Sequence, residues 1–401
     1  MAVGIASIQQ KQQLSFVPNA EIQFCRTATN LGSGIKRLYH ADNIDVLNAL
    51  INDSDVCGKI TLIYIDPPYN TGGAFETRDF KYAYDDRFSI QGYLEFMRKR
   101  IEIMHRLLSN DGSIYVHLDS NMVFHVKVMM DEIFGIQNFK GMITRKKCKS
   151  KNFTRKTYGN ISDYILFYSK TDEPIWNRPY EEWSEEKILK EYPYIENNTG
   201  RRYKKVPIHA PGTRNGATGE PWRGMLPPQG KHWQFTPDKL DEMNAKGEIY
   251  WSANGNPRRK VYFDKSNGVP VQDIWLDYLD VNNQNTLITG YPTEKNLDML
   301  KRIVETSSRP GDLVLDCFAG SGTTLIAAEE LGRQWIGIDI GEESISTIKE
   351  RFKNGSKPMG DYVKKNATKQ NTLSLFETGD FEENNCIVKK GETTFDVFEE
   401  I

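Results

Sequence analysis

Two stretches of the chain carry residue types that could act together on a flat ligand. The first is Ile65-Asp66-Pro67-Pro68-Tyr69-Asn70, entered from the apolar run Ile60-Thr61-Leu62-Ile63-Tyr64-Ile65. Such a run reads as a buried strand of an α/β sheet. Two successive prolines forbid helix and ladder pairing alike, so the chain must leave the sheet in a stiff, extended turn. One carboxylate, one backbone carbonyl and one aromatic ring are then presented at the carboxyl end of a strand, where open α/β sheets bind ligands. Paired acceptors beside a ring suit an exocyclic amino group on a planar base. By itself the tetrapeptide also fits a plain turn that closes a core strand.

The second stretch is Asp316-Cys317-Phe318-Ala319-Gly320-Ser321-Gly322-Thr323-Thr324, between a strand from Leu313 to Asp316 and a helix from Leu325 to Leu331. Gly320 and Gly322 let a ligand approach the backbone closely, and the helix N-terminus favours a negative group such as a carboxylate. Asp339 ends the next strand, 17 residues after Gly322, where an acidic side chain can accept from ribose hydroxyls. The loop lacks the Gly-Lys-Ser/Thr of a P-loop and the third glycine of the dinucleotide fingerprint. A lone GxG turn fits tight helix–strand packing equally well. Asp316 before it and Asp339 after it turn the reading toward a nucleoside ligand with a compact charged group.

The elements around these stretches alternate. Arg37 to Asn43 reads as a strand and turn, Ile44 to Ile51 as a helix, and Tyr93 to Leu108 as a helix with Leu94, Met97, Ile101, Met104 and Leu108 on one stripe. Asn110-Asp111-Gly112 is read as its stop, Ser113 to Leu118 as a strand and Asn121 to Phe134 as a helix. Tyr164 to Tyr168 reads as a further strand of the main sheet. After the middle of the chain come a helix from Asn296 to Thr306, strands at Leu313 and Trp335, and a helix from Glu342 to Phe352. This predicts an α/β, doubly wound, mostly parallel sheet. The expected divisions are an N-terminal extension 1–36, catalytic and cofactor halves 37–171 and 266–365, an insertion 172–265, and a weakly ordered acidic tail 366–401.

Net charge is −2, but unevenly spread: Lys140 to Lys265 holds 25 Lys and Arg against 15 Asp and Glu, and Asn371 to Ile401 holds 2 against 8. A basic middle is either the footprint of a polyanion or ordinary solvated charge. The stretch from Ile143 to Lys151 is basic, with Arg145, Lys146, Lys147, Lys149 and Lys151, while Arg201, Arg202 and Lys204, then Arg258 and Arg259, sit beside aromatics or in turns. Five scattered cysteines without CxxC spacing fit a reducing cytoplasm and no metal site. No apolar run approaches the ~20 residues of a membrane span, and Met1 to Ala20 lacks the plan of a secretory signal.

Together, Asp66-Pro67-Pro68-Tyr69 and Phe318-x-Gly320-x-Gly322 resemble the motifs of the amino-group DNA methyltransferases that use S-adenosylmethionine. Their order, with the variable region between, is that of the β group found in bacterial restriction-modification systems. The resemblance implies a Rossmann-like methyltransferase fold with circularly permuted motifs. It runs from about Leu38 to Phe352, taking in His40-Ala41-Asp42-Asn43, Asp273-Ile274-Trp275 and Gly290-Tyr291-Pro292-Thr293-Glu294-Lys295. The family usually has a proline after that lysine; this chain has Asn296.

What the resemblance implies is specific. Phe318, Gly320 and Gly322 surround the methionine part of the cofactor, with Ser321 and Thr323 in the same loop. Asp316 meets its ammonium, Asp339 its ribose, Asp42 its adenine, and Thr293 and Lys295 its carboxylate. The reaction is site-specific methylation of adenine N6 in duplex DNA, the target base being flipped out. Asp66 and the Pro67 carbonyl each accept one N–H, and Tyr69 stacks on the ring. The basic residues above contact DNA. Carbon-5 methylation of cytosine requires a cysteine, usually after proline, and no cysteine here follows one. Cytosine N4 stays open, although the family more often places serine before the two prolines for that substrate. RNA or protein-glutamine methylation, and a non-catalytic DNA-binding subunit, are the other readings. A cognate restriction endonuclease and a second copy of the chain are the expected partners, and 370–376 resembles short peptides that dock on sliding clamps.

Overall fold

In a computed structural model of the chain, the described residues are 24–28, 34–68, 74–76, 82–85, 89–149, 156–280, 294–354 and 395–400. Tyr69, Lys151, Thr293 and the segment 370–376 lie outside them. The chain divides into two compact units, one of Met1–Asn177 with Gln272–Ile401, the other of Arg178–Val271.

The first unit is built on a ten-stranded sheet. Its strands in chain order are β1 (Phe24–Ala28), β2 (Lys36–His40), β3 (Ile60–Ile65), β4 (Leu108–Leu118), β5 (Phe139–Lys146), β6 (Ser162–Ser169), β7 (Ile274–Trp275), β8 (Leu313–Asp316), β9 (Gln334–Asp339) and β10 (Asp396–Glu400). Across the sheet they lie in the order β1-β10-β2-β9-β8-β3-β4-β6-β5-β7. From β10 to β4 all neighbours are parallel, whereas β6 is antiparallel to both β4 and β5. This is the doubly wound, mostly parallel α/β sheet expected.

Both faces of the sheet are covered, so central strands are apolar throughout; every residue of β3 is buried. The helices of this unit are α1 (Asn43–Ile51), α2 (Ile90–Leu107), α3 (Val123–Phe134), α4 (Leu297–Ser307), α5 (Thr323–Glu330) and α6 (Glu342–Asn354). Helix α2 buries Tyr93, Met97, Ile101 and Met104, each side chain contributing roughly 1.5–3 kcal/mol. Its N-cap, Ser89 accepting from Gly92 N–H at 3.0 Å, contributes only about 1 kcal/mol. Packing therefore decides where α2 lies.

The winding defines a crevice. The chain leaves β3 through α2 toward β4, and leaves β8 through α5 toward β9, in opposite directions across the sheet. Strands β3 and β8 are adjacent and parallel, with Ile63 opposite Leu315. Their carboxyl ends thus form the switch point at which open α/β sheets bind ligands.

Three expectations are corrected. Asn110-Asp111-Gly112 lies inside β4, because α2 passes directly into the strand at Leu108. A Cβ on Gly112 would stand 2.8 Å from the Ile60 carbonyl, so the glycine serves close strand approach at a register shift. The basic stretch beginning at Ile143 starts within β5. The acidic tail ends as an ordered strand: β10 pairs between β1 and β2, and β1 itself draws part of the N-terminal extension into the sheet.

In the second unit, strands 194–195, 202–207, 257–262 and 249–251 form an antiparallel sheet in that order. Ile208, Trp222, Trp233, Leu240, Met243 and Ile249 make a small core of their own. Among the described residues no helix is long and apolar enough to cross a membrane.

Candidate active site

Asp66 and Pro67 follow directly on the buried end of β3, so the ladders on both sides set their position. Asp66 Oδ2 lies 2.8 Å from Lys295 Nζ, and Oδ1 lies 4.0 Å from His117 Nδ1. His117, at the end of β4, is wholly buried. Its Nδ1 meets the Tyr64 hydroxyl at 2.7 Å, and its Nε2 lies 3.0 Å from Asp163 Oδ2. Asp163 is also held by Arg145, through Nε at 2.8 Å and Nη2 at 2.5 Å. Burial works to raise the Asp163 carboxyl, but His117 and Arg145 carry it well below the usual carboxylate range.

Arg145 corrects the sequence reading. It is fully buried, and its remaining N–H groups reach Asp280 Oδ1 at 2.6 Å and the Tyr278 carbonyl at 3.1 Å. Strand alternation turns it inward while Lys146, next to it, faces the other way. A guanidinium so enclosed is not available to a phosphate. Lys146 and Lys147 are half-buried and Lys149 is exposed.

On the neighbouring strand, Asp316 is buried and accepts the Phe318 N–H at 3.0 Å. Burial pushes its carboxyl up to about 7; hydrogen bonds from Thr324 and Phe318 offset part of this, and the charges of Asp66 and Asp339 add to it. A carboxylate in that setting suits a cationic ligand group. The loop that follows needs its glycines: Gly320 has φ +50° and Gly322 φ +73°, a region L side chains rarely adopt. A Cβ on Gly322 would also approach Ile348 Cγ1 to 2.8 Å. Asp339 is raised as well, chiefly by burial, and ties the loop together, accepting Gly320 N–H and Gly341 N–H, each at 2.8 Å. Such a bare turn with a buried acidic end fits an amino-acid-bearing nucleoside better than a polyphosphate.

Beneath the loop, Ser321 and Thr323 share a hydrogen bond of 3.0 Å, and Arg351 Nη1 donates to the Ser321 carbonyl at 3.1 Å and Thr323 Oγ1 at 3.0 Å. Both side chains are buried, so they shape the loop from behind. Asp42 caps α1 by accepting from Ile44 N–H and also accepts from Arg100 Nη2 at 2.9 Å. Arg100 lies over the Phe96 ring at 3.6 Å, and Phe96 packs near Phe318 at 6.1 Å between centroids. Lys295, expected at a cofactor carboxylate, is placed on Asp66 instead.

Sequence reasoning passed over His117, Tyr64, Asp163, Arg100 and Arg351. A histidine inside the apolar run Ser113 to Leu118 and an aspartate opening the run at Tyr164 were the available signals. Neither identifies a partner without the strand order.

The basic residues of the second unit do not form one surface. Register pairs Tyr203 with Tyr262 and Pro207 with Arg258, so Lys205 and Arg258 share one face while Arg202, Lys204 and Arg259 take the other. On the first face Lys205 Nζ sits between Tyr194 and Tyr250, at 3.6 and 3.5 Å from their ring centres. On the second, Lys204 lies 4.8 Å from the Tyr192 ring and Arg259 5.3 Å from that of Phe235, which packs on the small core. Arg201 stacks on Tyr262 and pairs with Asp264.

Comparison with known proteins is consistent across the chain. The N6/N4 family profile described as DNA methylase matches residues 60–350. The type II methyltransferase M.EcaI of Enterobacter cloacae is 50% identical over 335 residues, covering 84% of this chain and 73% of that protein. The Mod subunit of the type III restriction-modification enzyme StyLTI of Salmonella typhimurium is 30% identical over 358 residues, covering 79% of this chain. The chain spans 52%, about half, of that subunit's length. Among solved structures, the cytosine-N4-specific PvuII DNA methyltransferase matches with a TM-score of 0.47 and 12% identity, over 86% of this chain and 96% of that one.

Proposed function

Because the chain belongs to the N6/N4 DNA methylase family, and so is a DNA methyltransferase, we propose that it methylates adenine N6 at a specific duplex sequence, with S-adenosylmethionine as donor. The observation that carries this is the adjacency of β3 and β8, which brings the Asp66-Pro67-Pro68 turn and the Asp316 to Gly322 loop to one crevice although 250 positions separate Asp66 from Asp316.

Bound S-adenosylmethionine supplies an electrophilic sulfonium methyl. The residues fit it: Asp316 takes the ammonium, the Gly320 and Gly322 turn the amino-acid portion, Asp339 the ribose and Asp42 the adenine side. On the substrate, the amino lone pair is delocalised into the ring and is a poor nucleophile. Asp66 and the Pro67 carbonyl accept its two N–H groups, drawing the lone pair out of conjugation and fixing its direction. Tyr69 stacks on the flipped ring, since a base inside a duplex cannot reach such a turn. Orientation of this kind supplies up to ~7–11 kcal/mol, so Asp66 orients the nitrogen and need not act as its base. Lys149 and the Lys205 and Arg258 face of the second unit are the proposed phosphate contacts, and a cognate endonuclease is the proposed partner.

Sequencing methylated genomic DNA from cells expressing the chain tests the reading. The expected product is 6-methyladenine at one recurrent sequence; N4-methylcytosine there would replace the base assignment, and unmodified DNA would remove the function.

A pH dependence follows from Asp316. Its folded value of about 7 lies above that of an unfolded aspartate, so the ligand-free fold loses stability as pH rises through about 7. The ammonium requires the ionised form. Affinity for S-adenosylmethionine, measured by calorimetry, should therefore rise about thirtyfold between pH ~5.5 and pH ~8, and Asp316→Asn should flatten the profile.

A further inference from the structure

We propose that Lys295 is a positioning residue for methyl transfer, acting through Asp66, and that Glu294 and Arg351 tie it to the cofactor loop. This rests on the reading of Asp66 as the acceptor for the amino group.

A carboxylate offers two equivalent oxygens and turns easily about its last bond. A cation on one oxygen pins that rotation and so decides where the other points. Lys295 Nζ holds Asp66 Oδ2 at 2.8 Å, and the two side chains are only 10% and 17% exposed. Shielding of this degree keeps the pair effective at salt concentrations that screen exposed pairs. Asp316 and Asp339 end the strands β8 and β9 alongside, so Lys295 stands as a cation in an acidic crevice.

The preceding residue points the other way. Glu294 Oε1 lies 3.3 Å from Arg351 Nη1, with both side chains almost wholly buried. The same Nη1 holds the Ser321 carbonyl and Thr323 Oγ1. Adjacent Cα atoms are a fixed ~3.8 Å apart, so Glu294 and Lys295 connect the loop at Ser321–Thr323 to Asp66 through one rigid peptide. Asn296 then stops the strap by capping α4, accepting Met299 N–H at 3.1 Å. That accounts for asparagine where the family usually has proline. Buried ion pairs contribute little net stability but can fix register. Here the register set is that of the acceptor relative to the loop, so that seating the cofactor and aiming Asp66 become one event.

The test compares Lys295→Met and Lys295→Arg with the parent chain in kcat on duplex DNA, in equilibrium Kd for S-adenosylmethionine, and in the fluorescence of 2-aminopurine at the target position. Lys295→Met should lose about 10²-fold in kcat, with cofactor Kd and 2-aminopurine signal within about threefold of the parent. Lys295→Arg, retaining a cation, should recover about tenfold of that loss. Glu294→Gln should weaken cofactor binding and kcat together. A Lys295→Met defect that sits in cofactor Kd and disappears at saturating cofactor overturns the proposal and makes Lys295 a cofactor ligand; an unchanged kcat overturns it outright. Should Lys295→Met not fold, Lys295→Arg decides in the same way, by whether its loss lies in kcat or in cofactor Kd. A parent chain that binds cofactor yet methylates no duplex DNA sinks the functional reading, and this proposal with it.

Discussion

Asp66→Ala is expected to lower kcat for methyl transfer by about 10³-fold or more while leaving DNA and cofactor binding measurable. The substitution removes one of the two acceptors proposed to hold the amino group, and the Pro67 carbonyl alone would leave the nitrogen free to rotate back into conjugation. It also leaves Lys295 without its 2.8 Å partner, a cation then standing where the N–H should dock. Affinity should survive because the proposed cofactor loop belongs to β8 and β9 and the proposed phosphate contacts lie elsewhere. Single-turnover tritium transfer with separate binding titrations checks this, and turnover near that of the parent would end the role given to Asp66. Asp66→Asn keeps an acceptor oxygen and should fall between the two.

Arg145→Ala is expected to destabilise the fold by about 3–5 kcal/mol, since it leaves Asp163 buried without its guanidinium partner. Asp163 then has only His117 against the cost of burial, and Asp280 loses its 2.6 Å contact. If Arg145 touched DNA instead, alanine would weaken binding and flatten its salt dependence with stability unchanged. Urea unfolding and salt-dependent DNA binding distinguish the two. The same change at exposed Lys149 should move stability by no more than about 0.5 kcal/mol. Arg145→Lys should also destabilise, because one ammonium cannot reproduce a fork that reaches Asp163, Asp280 and the Tyr278 carbonyl at once.

The contrast between Arg145 and Asp66 shows where reading the chain works. At Asp66-Pro67-Pro68 the constraint is local: prolines fix φ and end the ladder whatever surrounds them. The turn at Gly320 and Gly322 is legible for the same reason, since positive φ is a property of the residue. The helical stripe of Met97, Ile101 and Met104 is legible because a 3.6-residue period needs no partner to be recognised, whereas Leu94 is only half-buried and Leu108 already belongs to β4. Arg145 has no such local signature. It stands first in a run of cations, and only the pairing of β5 with β6, which sets Arg145 opposite Asp163, makes it interior. Likewise the acidic tail reads as solvated chain, yet Val397 is buried within the sheet, because the edge of β2 provides the unsatisfied backbone groups it pairs with.

By itself the sequence determined the chemistry on offer: an acceptor pair beside a ring, a bare acidic turn for a nucleoside, and a parallel α/β frame to carry both. These follow from backbone restriction, side-chain type and hydrophobic period, all of which are properties of short segments. Only the tertiary structure decided which groups meet. Lys295 faces Asp66, Glu294 faces Arg351, and His117 joins Tyr64 to Asp163 because β3, β4, β6 and β8 are ordered across one sheet, and strand order is set by packing between segments tens to hundreds of residues apart. Distance along the chain carries no information about those contacts. Burial then settles their consequence, turning Arg145 from a surface cation into a structural one and raising the Asp316 carboxyl above the usual carboxylate range.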